Sequence, residues 1–201
     1  VMHWLERLNR SATRAELGAG TTEILHWAYT PHLSDNTPHR HTYFEVCFVG
    51  RYGAGIFTVE DVPHAIAPGD VFFARPGVIH QIQNTQRKLM ELFWVSWMWT
   101  LKAVEKSGDV STLMRAFADS DVLVARDDGR IGALWNALQA VASTPLPGSG
   151  AQIEALSSSL LLAIAQLGAP RHALENSLEN ETVAPSQRLA CLAVRYIHDN
   201  I

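Results

Sequence analysis

Cysteine is scarce. Cys47 and Cys191 are the only two in 201 residues, and they lie far apart in the chain. That spacing excludes a disulfide framework and points to a reduced, cytoplasmic protein. Positive charge is not in excess either. Lys and Arg number 16 against 20 Asp and Glu, a formal net charge of -4, whereas gripping nucleic acid takes a concentrated basic face. No apolar run reaches the ~18 residues that span a bilayer, and no signal-like segment opens the chain, so no membrane association is expected. The spacing assembles no Ser/His/Asp or Cys/His arrangement and no phosphate-binding glycine loop, which leaves no basis for expecting turnover.

The chain is long enough for one large domain, or for a domain with a helical extension, built around a real core. A short helix is expected around Trp4, Leu5 and Leu8, then a strand from Thr22 to Tyr29 and a loop through Pro31, Asp35, Asn36 and Pro38. Short β-rich runs follow at Tyr43–Val49, Ile56–Val59, His64–Ala67, Val71–Ala74, Ile79–Gln83 and Leu89–Trp99, divided by Gly and Pro turns. Many short strands so divided indicate a sandwich or barrel. The aromatic run Phe93 to Trp99 reads mainly as core and barrel-to-helix packing.

Beyond Trp99 the period becomes helical. Ile131, Leu134, Trp135, Leu138 and Val141 recur behind Asp127 and Asp128, which can cap an N-terminus. Ser149 with Gln152 three residues on has the capping-box pattern, and Gly168 with Pro170 closes the helix it opens. Ile153, Leu156, Leu160, Ala163 and Leu167 form an apolar stripe on that helix, wide enough to predict burial against a second copy in a homodimer. A last helical pattern runs through Leu189, Leu192, Tyr196 and Ile197.

One stretch carries chemistry. If His39 to Glu45 is extended, His39, His41 and Glu45 face one way, and Cys47 shares their parity. Two imidazoles and a carboxylate on one face form most of a metal site, with His80 available as a fourth ligand. A divalent ion there (zinc, nickel, iron or manganese) would keep about one net positive charge. In the alternative reading these polar residues only line an effector pocket. Cys47, Arg75 and Asn84 are candidate pocket residues, with Arg75 or Arg51 able to hold a carboxylate bidentately.

The spacing His39-x-His41-x3-Glu45, answered by Gly77-x2-His80 and Asn84, resembles the cupin signature over roughly residues 39 to 84. Arg75 stands where that family usually has proline. The resemblance implies a mainly β protein with an α-helical C-terminal part, a cupin-type double-stranded jelly-roll barrel followed by a helical segment. The order of barrel, helices and a terminal helix ending Arg195-Tyr196-Ile197-His198-Asp199-Asn200 is similar to AraC-type transcriptional regulators. That resemblance implies an effector-binding cupin over residues 1–100, a helical linker and dimerisation segment over 101–184, and the start of a helix-turn-helix region over 185–201. It further implies a small-molecule effector, a homodimer without enzymatic activity, and DNA contact only through a recognition helix that this chain lacks. The competing expectation is a metal-dependent cupin enzyme of dioxygenase or isomerase type.

Overall fold

The computed structural model describes residues 3–18, 20–85, 90–101 and 108–171. Helix α1 (Trp4–Ser11) precedes eight strands: β1 (Arg14–Leu17), β2 (Gly20–Leu33), β3 (Phe44–Val49), β4 (Gly55–Val59), β5 (Val62–Ile66), β6 (Asp70–Ala74), β7 (His80–Asn84) and β8 (Met90–Leu101). Then come α2 (Asp109–Ala118), β9 (Val124–Arg126), α3 (Arg130–Ser143) and α4 (Ser149–Gly168). The strands form a larger sheet in the order β1-β2-β8-β3-β6-β9 and a smaller one in the order β5-β4-β7. Every pairing is antiparallel. The expected mainly β barrel with a helical C-terminal part is the observed fold.

Strand alternation explains why so much of this chain is apolar. Cys47 and Val49 of β3, Phe72 and Ala74 of β6, and Met90 and Leu92 of β8 point into the barrel, where they meet Phe57, Val59 and Ile82 of the smaller sheet. Their neighbours Val46, Phe73, Phe93, Val95 and Trp97 point the other way, into a core shared with all four helices. A sheet buried on both faces reads as a continuous hydrophobic run. The Phe93 to Trp99 run behaves accordingly: Phe93 and Trp97 pack towards the helices, whereas Trp94 turns into the barrel.

The expected stripe on α4 does not wait for a partner. Ile153 and Leu160 are fully buried, and Ala163 is nearly so, in the core that α4 shares with the other helices and the larger sheet. Helix α4 has 20 residues with mean hydropathy 1.2, long and apolar enough by length and composition to cross a bilayer. Here it packs as the central helix of this layer.

Local capping also departs from expectation at one end. Asp127 accepts from the Ile131 and Gly132 amides, as its position suggested. Ser149, by contrast, accepts from the Leu146 amide, ahead of the helix, and Gly148 occupies the cap position. Gly168 does not end α4 by a left-handed turn. A Cβ there would lie 2.8 Å from Phe73 and Phe117 ring atoms, so glycine permits close approach to β6 and α2. Strands β1 and β9, each under five residues, and helix α2 escaped sequence reading altogether. The terminal helical pattern, residues 185–201, Cys191 and His198 lie outside the described residues.

Candidate metal centre

Two chain segments meet at one end of the barrel. The Arg75-Pro76-Gly77-Val78 turn has Gly77 at φ +79, and the Val78 amide donates to the Arg75 carbonyl at 3.3 Å. Proline second and a positive-φ glycine third is the chemistry of a type II turn. The Gly77 amide then donates to the His41 carbonyl at 2.7 Å. His39 and His80 exchange backbone hydrogen bonds of 3.0 and 2.9 Å. Backbone pairing, rather than a continuous strand through residues 39–45, therefore brings the histidines together. The chain bends at residues 42 and 43, and β3 begins only at Phe44.

The imidazoles are uniformly oriented. Nδ1 of His39 donates to the Thr37 carbonyl at 2.9 Å, that of His41 to Tyr43 at 2.8 Å, and that of His80 to Val78 at 2.9 Å. A carbonyl only accepts, so each Nδ1 carries a proton, and Nε2 is the atom that each ring can offer a metal. One ligand nitrogen from each of the three lies within 4.8 Å of the others. Ring centroids are 4.5 Å apart for His39 and His80, and 4.9 Å for His41 and His80. Burial lowers the pKa of both His41 and His80, which favours the neutral form a metal needs. Nε2 of His41 and of His80 are buried without any hydrogen-bond partner. Buried polar atoms are rarely left so. Three pre-oriented imidazoles, two of them with orphaned Nε2 atoms, fit a divalent transition ion, and the carbonyls behind them act as its outer support.

Glu45 stands beside this cluster and is not part of it. Its carboxylate accepts from Ser96 Oγ at 3.4 Å, and the Cys47 thiol lies 3.9 Å from its other oxygen. Burial raises its pKa, while His80, His39 and Ser96 oppose that shift. Burial likewise pushes the Cys47 thiol well up. His39, Glu45 and Cys47 share one wall of a cavity of about 190 Å³ with Asn36. Leu33, Ile82, Leu92 and Trp94 complete its lining with apolar surface, Trp94 lying beside Cys47 on the larger sheet and Ile82 on the smaller one.

The other expected pocket residues face elsewhere. Arg75 continues the parity of Val71 and Phe73, so it enters the helical layer. There it donates to the carbonyls of Phe117 at 2.6 Å and Val122 at 3.2 Å, with its guanidinium carbon 5.0 Å from the Phe117 ring centroid. A buried guanidinium needs acceptors, and the Phe117 carbonyl in the last turn of α2 and the Val122 carbonyl in the loop after it supply them. Asn84 donates to the Leu33 carbonyl at 2.6 Å and pins the strap that crosses the barrel end. Arg51 pairs with Glu91 at 3.1 Å. Asn36, Trp94 and Ser96 were missed from sequence. Of these only Trp94 carried a signal, its even spacing with Met90 and Leu92.

Residues 25–96 match the family model described as a cupin domain. Among solved structures, the fold is similar to a cupin 2 conserved barrel domain protein from Salinispora arenicola, at 20% identity and TM-score 0.30, covering 39% of this chain and 61% of that one. It is also similar to an RmlC-like cupin from Shewanella frigidimarina, at 18% identity and TM-score 0.30, covering 43% and 85%. Bacillus subtilis oxalate decarboxylase is similar at 14% identity and TM-score 0.29, covering 43% and 28%. The match thus spans less than two thirds of the Salinispora barrel and under a third of the decarboxylase. No curated protein matches the chain. With the histidine cluster at the end of an antiparallel two-sheet barrel, residues 25–96 form a cupin domain.

Proposed function

We propose that this chain is the small-molecule-sensing and dimerisation region of an AraC-type, DNA-binding transcription regulator, with a divalent transition metal on His39, His41 and His80. One observation carries the reading: the turn that positions His41 and His80 begins at Arg75, and Arg75 is anchored in the helical layer. Any shift of that turn on binding is felt at the end of α2. A ligand moves such an equilibrium only by binding one arrangement better than the other.

In this reading the bound ion supplies Lewis acidity to an oxygen of the effector. The protein's own part is to present three Nε2 lone pairs and to hold each ring by its Nδ1 proton. The chain works as a cytoplasmic homodimer that reaches DNA through the region following the helical layer, and it has no turnover of its own. Since the α4 stripe is core, the dimer uses another surface.

A second reading, a metal-dependent cupin enzyme of dioxygenase or isomerase type, draws on the buried Glu45 carboxylate beside the cluster, a group able to accept a proton. Hydrogen exchange separates the two. A sensor, on metal and ligand binding, slows exchange over α2 and residues 117–124 and returns the ligand unchanged. Consumption of the ligand, or of oxygen with it, would move the chain to the enzyme reading.

A further inference from the structure

The cavity beside His39 limits what can occupy it. Its volume is about 190 Å³, and an apolar cavity of ~150 Å³ takes benzene. The pocket is partly open to solvent, so its sheltered space suits one six-membered ring with one or two small substituents that reach towards the open side. Trp97 stacks on Phe44 and Phe117, and Trp135 meets Trp27 edge-on and Phe93 at a tilt. Trp94, by contrast, makes no ring contact among the described residues and puts part of its indole on the cavity lining, a surface for a planar guest. Asn36 Oδ1 accepts from the Ile82 amide at 2.7 Å, which leaves the side-chain NH₂ as a donor. Glu45 holds Ser96 on one oxygen at 3.4 Å and retains lone pairs for a ligand hydroxyl. Among the described residues neither lysine nor arginine lines the cavity. A dianionic guest would set its second charge against the Glu45 carboxylate, with an ion on the histidines as the single cation among the described residues to offset it.

We infer that the barrel takes a monocyclic hydroxy-aromatic compound, its ring on Trp94 and Leu92, its hydroxyl on Glu45, and a further oxygen at the His39 end. The inference rests on the sensor reading for what the ligand does, and on the cavity alone for what the ligand is.

Calorimetric titration and tryptophan fluorescence of the zinc-loaded chain test it with four probes: 3-hydroxybenzoate, benzoate, 3-hydroxy-2-naphthoate and glucose 6-phosphate. The first should bind and quench fluorescence. Benzoate should bind about tenfold more weakly for want of one hydrogen bond to a charged acceptor, the two-ring acid more weakly still, and the sugar phosphate not at all. Trp94→Leu should weaken 3-hydroxybenzoate about tenfold and remove the quenching. The ranking of probes on the unaltered chain stands whether or not that variant folds. Equal affinity for one and two rings would overturn the inference, as would no single-ring binding up to about 10 mM by a chain that holds zinc. Binding followed by consumption of the probe supports this inference and overturns the sensor reading alone.

Discussion

The Arg75 guanidinium donates to the Phe117 carbonyl across 2.6 Å, joining the first residue of the turn before His80 to the last turn of α2. Arg75→Met keeps the stem and removes the donors, leaving the Phe117 carbonyl with only its 3.3 Å bond from the Ser120 amide and taking the guanidinium from the Val122 carbonyl. The expected cost is ~1–3 kcal/mol of stability, with zinc affinity lowered about tenfold through the loosened turn. Denaturant melts and competition against a chelating dye measure the two. Loss of stability with unchanged zinc affinity would show that the turn holds its shape without the clamp.

His80 is the buried member of the cluster, and its ring meets both other imidazoles. His80→Ala and His41→Ala should each abolish stoichiometric zinc binding by protein purified without an affinity tag, since two imidazoles make a poor structural site. His64, which also has a buried unpartnered Nε2, lies outside the cluster. His64→Ala should leave zinc content unchanged. Equal loss in both kinds of variant would place the ion elsewhere.

Acid should expose the Glu91 interaction. Burial alone would raise its pKa, but Arg51 at its amide and guanidinium, and the Tyr29 hydroxyl, hold the carboxyl below its ordinary value. A depressed folded-state pKa stabilises the fold above the unfolded value of ~4.3, and that contribution is lost as pH falls through the folded value. Glu91→Gln should therefore melt below wild type at neutral pH, with the gap closing towards pH ~3. Thermal melts across that range decide it. A gap independent of pH would assign the loss to packing.

Leu160 tests the role of α4. Fully buried in the shared core, it should cost ~2–5 kcal/mol as Leu160→Ala. Leu160→Glu should unfold the chain, because no cation is offered to a carboxylate there. Circular dichroism with sedimentation reads both. A folded monomeric Leu160→Glu would mean that the helix sits at an interface between copies.

How much of this was legible beforehand depended on whether the signal was local. Strand runs such as Val71–Ala74, helical periodicity at Ile131 to Val141 and the Asp127 cap depend on near neighbours, and they stand where the pattern put them. His39, His41 and His80 were found from spacing, although the means of bringing them together, a backbone bridge across 41 residues of chain, was not. For Glu45, parity gave the face its side chain takes, beside His39 on the cavity lining, but not its Ser96 partner there. The surroundings of Arg75 and of the α4 stripe were not legible for a related reason. An amphipathic stripe looks the same whether its cover comes from another molecule or from the back of the chain's own sheet.

Strand β9 pairs with β6 at the margin of the larger sheet. It is only three residues long, yet it comes from beyond α2, on the far side of any cut between barrel and helices. A protein ending near Leu101 would thus carry a raw hydrogen-bonding edge at β6, beside the bared outer faces of Phe73, Val95 and Trp97. Such a fragment should aggregate rather than fold. An exchange of the barrel alone would meet the same obstacle, so barrel and helical layer should fold only when they are kept together.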